Sequence, residues 1–178
     1  MTNTSGSMLG FRLAVPEDAL TLGALGSQVW LDTYAVAGIR PVMAEEVRRS
    51  FSTGAMQAHL ARSDTRIVVA ELNGHLVGFA QLRYKTPQAS VIGRQHPAEL
   101  ERLYVQRPFL GQRVGGLLLH EAEELAAQGG ADALWCSVWI HNVRAMRFYE
   151  RRGYAQVGAT WFDMDRERHE NHVLSKAL

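Results

Sequence analysis

Three side chains of this sequence are suited to moving protons: Tyr149, Glu101 and Glu99. A phenol has an ordinary pKa of about 10, so Tyr149 is protonated at neutral pH and can serve as a proton donor. Glu99 and Glu101 stand two apart in "ELERLYV". On a strand both carboxylates leave one face, with Arg102 on the other. Such a pair suits a general base acting through water. The same residues also fit structural roles, the acids as a solvated or ion-paired strand face and Tyr149 as an aromatic packed beside Phe148.

A second group of residues suits an anion. The stretch "FLGQRVGG" feeds directly into an apolar-periodic helix, and such a loop brings backbone N–H groups to a helix N-terminus. It is no P-loop, because Gly116 is followed by Leu117 and Leu118 and no lysine follows. Gly111, Gly115 and Gly116 also have the wrong spacing for a dinucleotide fingerprint. Near the N-terminus, Trp30, Asp32 and Tyr34 combine aromatic rings with a carboxylate, which suits an alkylammonium by cation–π contact and charge pairing. A helix end packing its aromatics into the core explains them equally well.

Around these residues the pattern places elements. Residues 11–15 are a short strand, and Pro16, Glu17 and Asp18 open a helix whose apolar stripe is Leu20, Leu22, Leu25, Val29 and Leu31. A second helical stretch, about 43–62, is interrupted near 52–54. Asn73-Gly74 joins strands 66–70 and 76–83 as a hairpin. Residues 86–97 are a loop and 99–105 a strand. The quoted loop then leads into a helix to about 128, stopped by Gly129-Gly130. Strand 133–140, helix 142–152, and strands 154–158 and 171–176 complete the chain. This is an α+β sheet of mixed pairing and not a doubly wound fold.

The 178 residues, 47% hydrophobic and 21% charged, suit one domain over 10–178 after a Ser/Thr/Gly-rich tail over 1–9. The tail lacks the basic and apolar regions of a signal peptide and no apolar run is long enough to span a bilayer, so the expected location is the cytoplasm. A net charge of +1 gives no general electrostatic case for nucleic acid or an anionic membrane. The single cysteine, Cys136, is expected to be a buried hydrophobe. His169 and His172 are the only close histidine pair and lack companions for a metal site, so no metal is expected.

Taken together, "ELERLYV", "FLGQRVGG", the helix after it, "ALWCSVW" and "NVRAMRFYERRGY" resemble the GNAT (Gcn5-related) N-acetyltransferase superfamily. Its pattern N-x-x-A-x-x-F-Y-x-x-x-G-[FY] is met in full by Asn142, Ala145, Phe148, Tyr149, Gly153 and Tyr154. Within it the chain is similar to the PaiA-type spermidine/spermine N-acetyltransferases through Trp30-x-x-Thr33-Tyr34, "ELERLYV" and Phe162-x-Met164. The resemblance implies a mostly antiparallel GNAT-like sheet flanked by helices, with acetyl-CoA as cosubstrate. It assigns acetyl-CoA to the backbone of Leu103, Tyr104 and Val105 and of Gly111, Gln112, Arg113, Val114, Gly115 and Gly116, with Asn142 against the pantetheine arm. It further implies Tyr149 as acid, Glu101 or Glu99 as base, and an acceptor site lined by Trp30, Asp32 and Tyr34.

The loop departs from the superfamily pattern. Leu110 stands at its Gln/Arg position and Arg113 at its first glycine. A guanidinium there either supports the phosphates or obstructs them. The implied activity is acetylation of a primary amine, a small molecule such as a polyamine. The alternatives are a protein N-terminal or lysine acetyltransferase, and a non-catalytic acyl-CoA-binding module. Trp161 and Phe162 suit either a homodimer edge or core packing.

Overall fold

The computed structural model describes residues 9–164 and 167–178. The expected tail lies outside the described residues except for Leu9, which opens the first strand. In chain order the elements are β1 (Leu9–Leu13), α1 (Ala19–Tyr34), α2 (Pro41–Phe51), α3 (Thr53–Ala61), β2 (Thr65–Leu72), β3 (His75–Arg83), β4 (Pro97–Val105), α4 (Val114–Gln128), β5 (Ala133–Trp139), α5 (Val143–Glu150), β6 (Ala155–Met164) and β7 (Glu167–Ala177). Short 3-10 turns precede α1 and follow β4. The strands form one sheet in the order β1-β2-β3-β4-β5-β7-β6. Among the described residues only the β4–β5 pair is parallel.

Local chemistry explains the framework. Asn73 and Gly74 take φ of 52° and 79°, the two positive values a two-residue hairpin turn requires, and they set the β2–β3 register. α4 packs on one face of the sheet through Leu118, Leu119, Ala122 and Ala126. α1, α2 and α3 cover the other face over Ile67, Val69 and Phe79. The expected stripe of α1 needs correction at Leu20, which is 69% exposed. The buried positions are Ala19, Leu22, Gly23, Leu25, Gly26 and Trp30, a helical period in which two glycines carry part of the buried face. They are small for a reason. A Cβ on Gly23 would lie 2.3 Å from the Phe51 carbonyl oxygen, and one on Gly26 would lie 2.4 Å from the Phe51 ring.

The last two strands run longer than their sequence suggests, and β6 forms one edge of the sheet. Trp161 and Phe162 are exposed on that edge strand, 51% and 38%, with Arg168 over the Trp161 ring. His169 and His172, three apart on β7, face opposite sides of it.

Candidate active site

β4 and β5 run together for only a short distance. Pro97, Ala98 and Glu99 pair with Ala133, Leu134 and Trp135, and beyond Glu99 the strands separate. From there on β4 pairs only with β3, so its peptide groups facing β5 have no strand partner. The result is a wedge-shaped opening in the middle of the sheet. Its apex lies beside the Glu99–Trp135 pair, where the Cys136 thiol feels the charge of Glu99.

Glu99 and Glu101 do come together on the α3 side of this apex, joined by one cation. Arg83 donates to Glu99 at 3.0 Å and lies 3.3 Å from Glu101. Glu101 also accepts from Gln81 Nε2 at 2.5 Å. The expectation that Arg102 points to the opposite face is corrected. A bulge at Glu101 sets Arg102 opposite Gln81, and Arg102 donates to Gln81 Oε1 at 2.6 Å. An extra residue breaks the two-residue alternation, so Glu101 and Arg102 reach the same glutamine. Gln81 Nε2 also lies 3.1 Å from His59 Nδ1. An amide nitrogen only donates, so this histidine nitrogen accepts and the ring is neutral. Burial and Arg102 hold the His59 pKa below its ordinary value, in agreement. Burial, then the charge of Glu101, raises the Glu99 pKa above the usual carboxylate range, while Arg83 opposes the shift.

Tyr149 stands on the α4 side of the apex, 7% exposed, in edge contact with Phe148 and Tyr154. It is therefore both a core aromatic and a neighbour of the opening. Its hydroxyl lies close enough to the Cys136 thiol for each to perturb the other, and Cys136 in turn feels the charge of Glu99. Burial, reinforced by Cys136, pushes the Tyr149 pKa well above its ordinary value. Cys136 is buried, as expected, and its thiol is held protonated by the same burial.

Of the expected acceptor residues the structure groups two and separates the third. Trp30 and Tyr34 make a tilted ring contact at 5.0 Å, and Tyr34 meets Trp139 at 5.7 Å. Tyr34 lies close enough to Tyr104 and Tyr149 to raise the pKa of each. Trp30 itself belongs to the core beneath Tyr34. Asp32, two residues from Trp30 and therefore on another side of the helix, is solvent-exposed and stands apart from this aromatic wall.

The loop after β4 ends in an uncapped helix. Among the described residues no side chain caps α4 at its N-terminus. Its first internal bonds run from the Gly116 and Leu117 N–H groups to the Arg113 carbonyl, leaving the Val114 and Gly115 N–H groups for an anion. Gly111 and Arg113 both take positive φ, 80° and 67°. Arg113 thus adopts the left-handed conformation that glycine occupies without strain, with its side chain exposed. Gln112 turns back to donate from Nε2 to the Pro108 carbonyl at 2.8 Å. Asn142 caps α5, its side-chain oxygen accepting from the Ala145 N–H at 3.1 Å. That leaves its NH₂ for any contact with the pantetheine arm.

Several residues of this region escape sequence reasoning. Gln81, Arg83, Arg102 and His59 come from three elements, and only Gln81 carries a signal, as a polar residue inside the apolar run "VGFAQL". Arg152 is another. Its guanidinium covers the Phe148 ring at 3.7 Å and packs against Gly116 in the first turn of α4.

Residues 30–154 match the model of the Acetyltransferase (GNAT) family, and the chain belongs to that family. It is an acetyl-CoA-dependent acyltransferase. The chain is 26% identical over 144 residues to the spermidine N(1)-acetyltransferase of Thermoplasma acidophilum, covering 78% of this chain and 83% of that one. It is 37% identical over 101 residues to the aminoalkylphosphonate N-acetyltransferase of Salmonella typhimurium, covering 56% of this chain and 62% of that one. The fold superposes on the PaiA N-acetyltransferase of Thermoplasma acidophilum in complex with coenzyme A with a TM-score of 0.74 and 23% identity, covering 96% and 99% of the two chains. The mixed, mostly antiparallel sheet is the expected one. Among the described residues no helix is long and apolar enough to cross a membrane.

Proposed function

We propose that this enzyme transfers the acetyl group of acetyl-CoA to a primary amine of a small molecule by direct attack. The observation that carries the reading is the placement of a carboxylate and a phenol on opposite sides of one opening in the sheet, around Cys136. The residues fit acetyl-CoA. The unpaired edge of β4 from residue 101 onward suits the amides of its pantetheine arm, and the Val114 and Gly115 N–H groups suit its pyrophosphate. Glu99 is the base, acting through water, because one of its oxygens is free of Arg83 and its raised pKa brings it nearer to neutrality. Glu101, held by Gln81 and Arg83, orders the strand face beside it. Tyr149 protonates the departing sulfur once its hydroxyl turns from Cys136 into the opening. Tyr34 and Trp139 form the aromatic wall for the alkyl part of the amine.

The acceptors named for the two relatives, a polyamine and an aminoalkylphosphonate, support a small amine. The test is release of free thiol from acetyl-CoA against spermidine, diamines, simple alkylamines, amino acids, an aminoalkylphosphonate and short peptides. Turnover on one or more small amines is the expected outcome. Turnover confined to peptides would replace this reading with protein acetylation. Coenzyme binding without turnover on any amine would leave a binding module.

A further inference from the structure

We propose that Arg83 sets the charge of the acceptor, so that the site selects an amine with a single positive charge over a polycation. The inference rests on the primary-amine reading above and narrows it away from the polyamine that the family resemblance implies. Two carboxylates at the apex would by themselves attract a polycation. Glu99 and Glu101 are only 15% and 17% exposed, and a second ammonium could pair with whichever acid the reacting amine leaves. Arg83 already occupies that position, 3.0 Å from one carboxylate and 3.3 Å from the other.

Of the neighbouring groups, Glu46 from α2 lies within reach of the Arg102 charge but is paired with Arg49, so it adds no net negative charge. Arg102 is bound to the neutral Gln81 and forms no carboxylate ion pair among the described residues. His59 faces the same glutamine as a neutral ring. Glu99 and Glu101 against Arg83 and Arg102, and Glu46 against Arg49, leave the face without net charge, with Arg83 and Arg102 positioned to repel any ammonium beyond the first. Arg83 is 36% exposed on β3, so its guanidinium can yield space to one ammonium without leaving the cluster.

The test compares the parent with Arg83→Gln and Arg83→Lys on butylamine, 1,4-diaminobutane and spermidine at fixed ionic strength. KM, kcat and the pH profile of kcat/KM are measured for each. The groups facing Glu99 are Arg83 from β3, Glu101 and Arg102 from β4 and Cys136 from β5, with His59 from α3 behind Gln81. Of these only the cation at position 83 changes. The parent should favour butylamine. Arg83→Gln should lower the KM for spermidine relative to butylamine by about 10-fold, the scale of removing one charge from a desolvated site, and should move the acid limb of kcat/KM to higher pH. Arg83→Lys should restore the parent's order.

Equal effects on the three amines with an unmoved pH profile would overturn the inference. So would a parent that prefers spermidine. Because Arg83 also ties β3 to β4, melting curves accompany the kinetics. If Arg83→Gln fails to fold, the parent's order of preference, together with that of Arg83→Lys, decides. Failure of every amine to release thiol would instead overturn the acceptor reading, and this inference with it.

Discussion

Glu101 has a partner on each carboxylate oxygen, Gln81 on one and Arg83 on the other, whereas Glu99 meets Arg83 alone. The two acids therefore differ in what they are free to do. Because burial raises the Glu99 pKa above the ordinary value of about 4.3, its basic form is lost at a higher pH than usual as the solution is acidified. kcat/KM should accordingly fall with falling pH through that raised value. Glu99→Gln should remove this limb and depress kcat/KM most at neutral pH, with recovery toward high pH as free amine becomes abundant. A defect equal at every pH would assign Glu99 a binding role. Tyr149→Phe keeps the edge contacts with Phe148 and Tyr154 and removes only the hydroxyl. The expected loss in kcat is about 10- to 100-fold, the lower part of the acid–base range, with coenzyme affinity little changed. Unaltered turnover in a chemistry-limited assay would remove the phenol from the mechanism.

α4 and the loop before it present a local conflict between sequence and backbone. Arg113 holds a left-handed φ of 67°, which costs an L-residue about 1–2 kcal/mol. Arg113→Gly relieves that strain but adds freedom to the unfolded chain worth about 0.4–1 kcal/mol. The net expectation is stabilisation by up to about 1.6 kcal/mol, raising Tm by up to about 3–6 °C. Arg113→Ala keeps the strain and loses only the guanidinium. If that group contacts the pyrophosphate, Ala should weaken coenzyme A binding by about 10- to 150-fold, with salt narrowing the difference. Tighter binding after either change, measured by calorimetry, would show that Arg113 obstructs the loop. Element identities were largely legible because their signals are local, as with Asn73-Gly74 and the Gly129-Gly130 stop of α4. The bulge at Glu101 was not legible, because it depends on how β4 lies against β3. β6 and β7 were read short because "ATWFDM" and "ERHENH" carry too little apolar alternation to mark a strand. Tyr149, the two acids and the loop could be read from motif and spacing, whereas Arg83 and His59 became site residues only through tertiary contact.

At the scale of the molecule, the sheet is two antiparallel halves, β1–β4 and β5–β7–β6, joined through a short parallel contact at Pro97, Ala98 and Glu99. α4 follows β4 directly and shares a core with both halves, Ala80 and Leu100 on one side and Leu134, Val138 and Leu174 on the other. Coenzyme A bound in the opening and at the start of α4 would add backbone partners where the sheet has none. Two consequences follow from that geometry. Binding at 100 times the Kd stabilises the fold by about 2.7 kcal/mol, so Tm should rise by about 5–10 °C. The gain in protection should also be local. Amides of β4 beyond Glu99 that face away from β3 should exchange rapidly in the free enzyme and slow on binding, while the β2–β3 amides, paired along the hairpin apart from one bulge, should change little. Hydrogen exchange followed by mass spectrometry with and without coenzyme A separates the two regions. Protection that rises uniformly over the sheet, or only at α4, would mean that the coenzyme does not occupy the opening between β4 and β5.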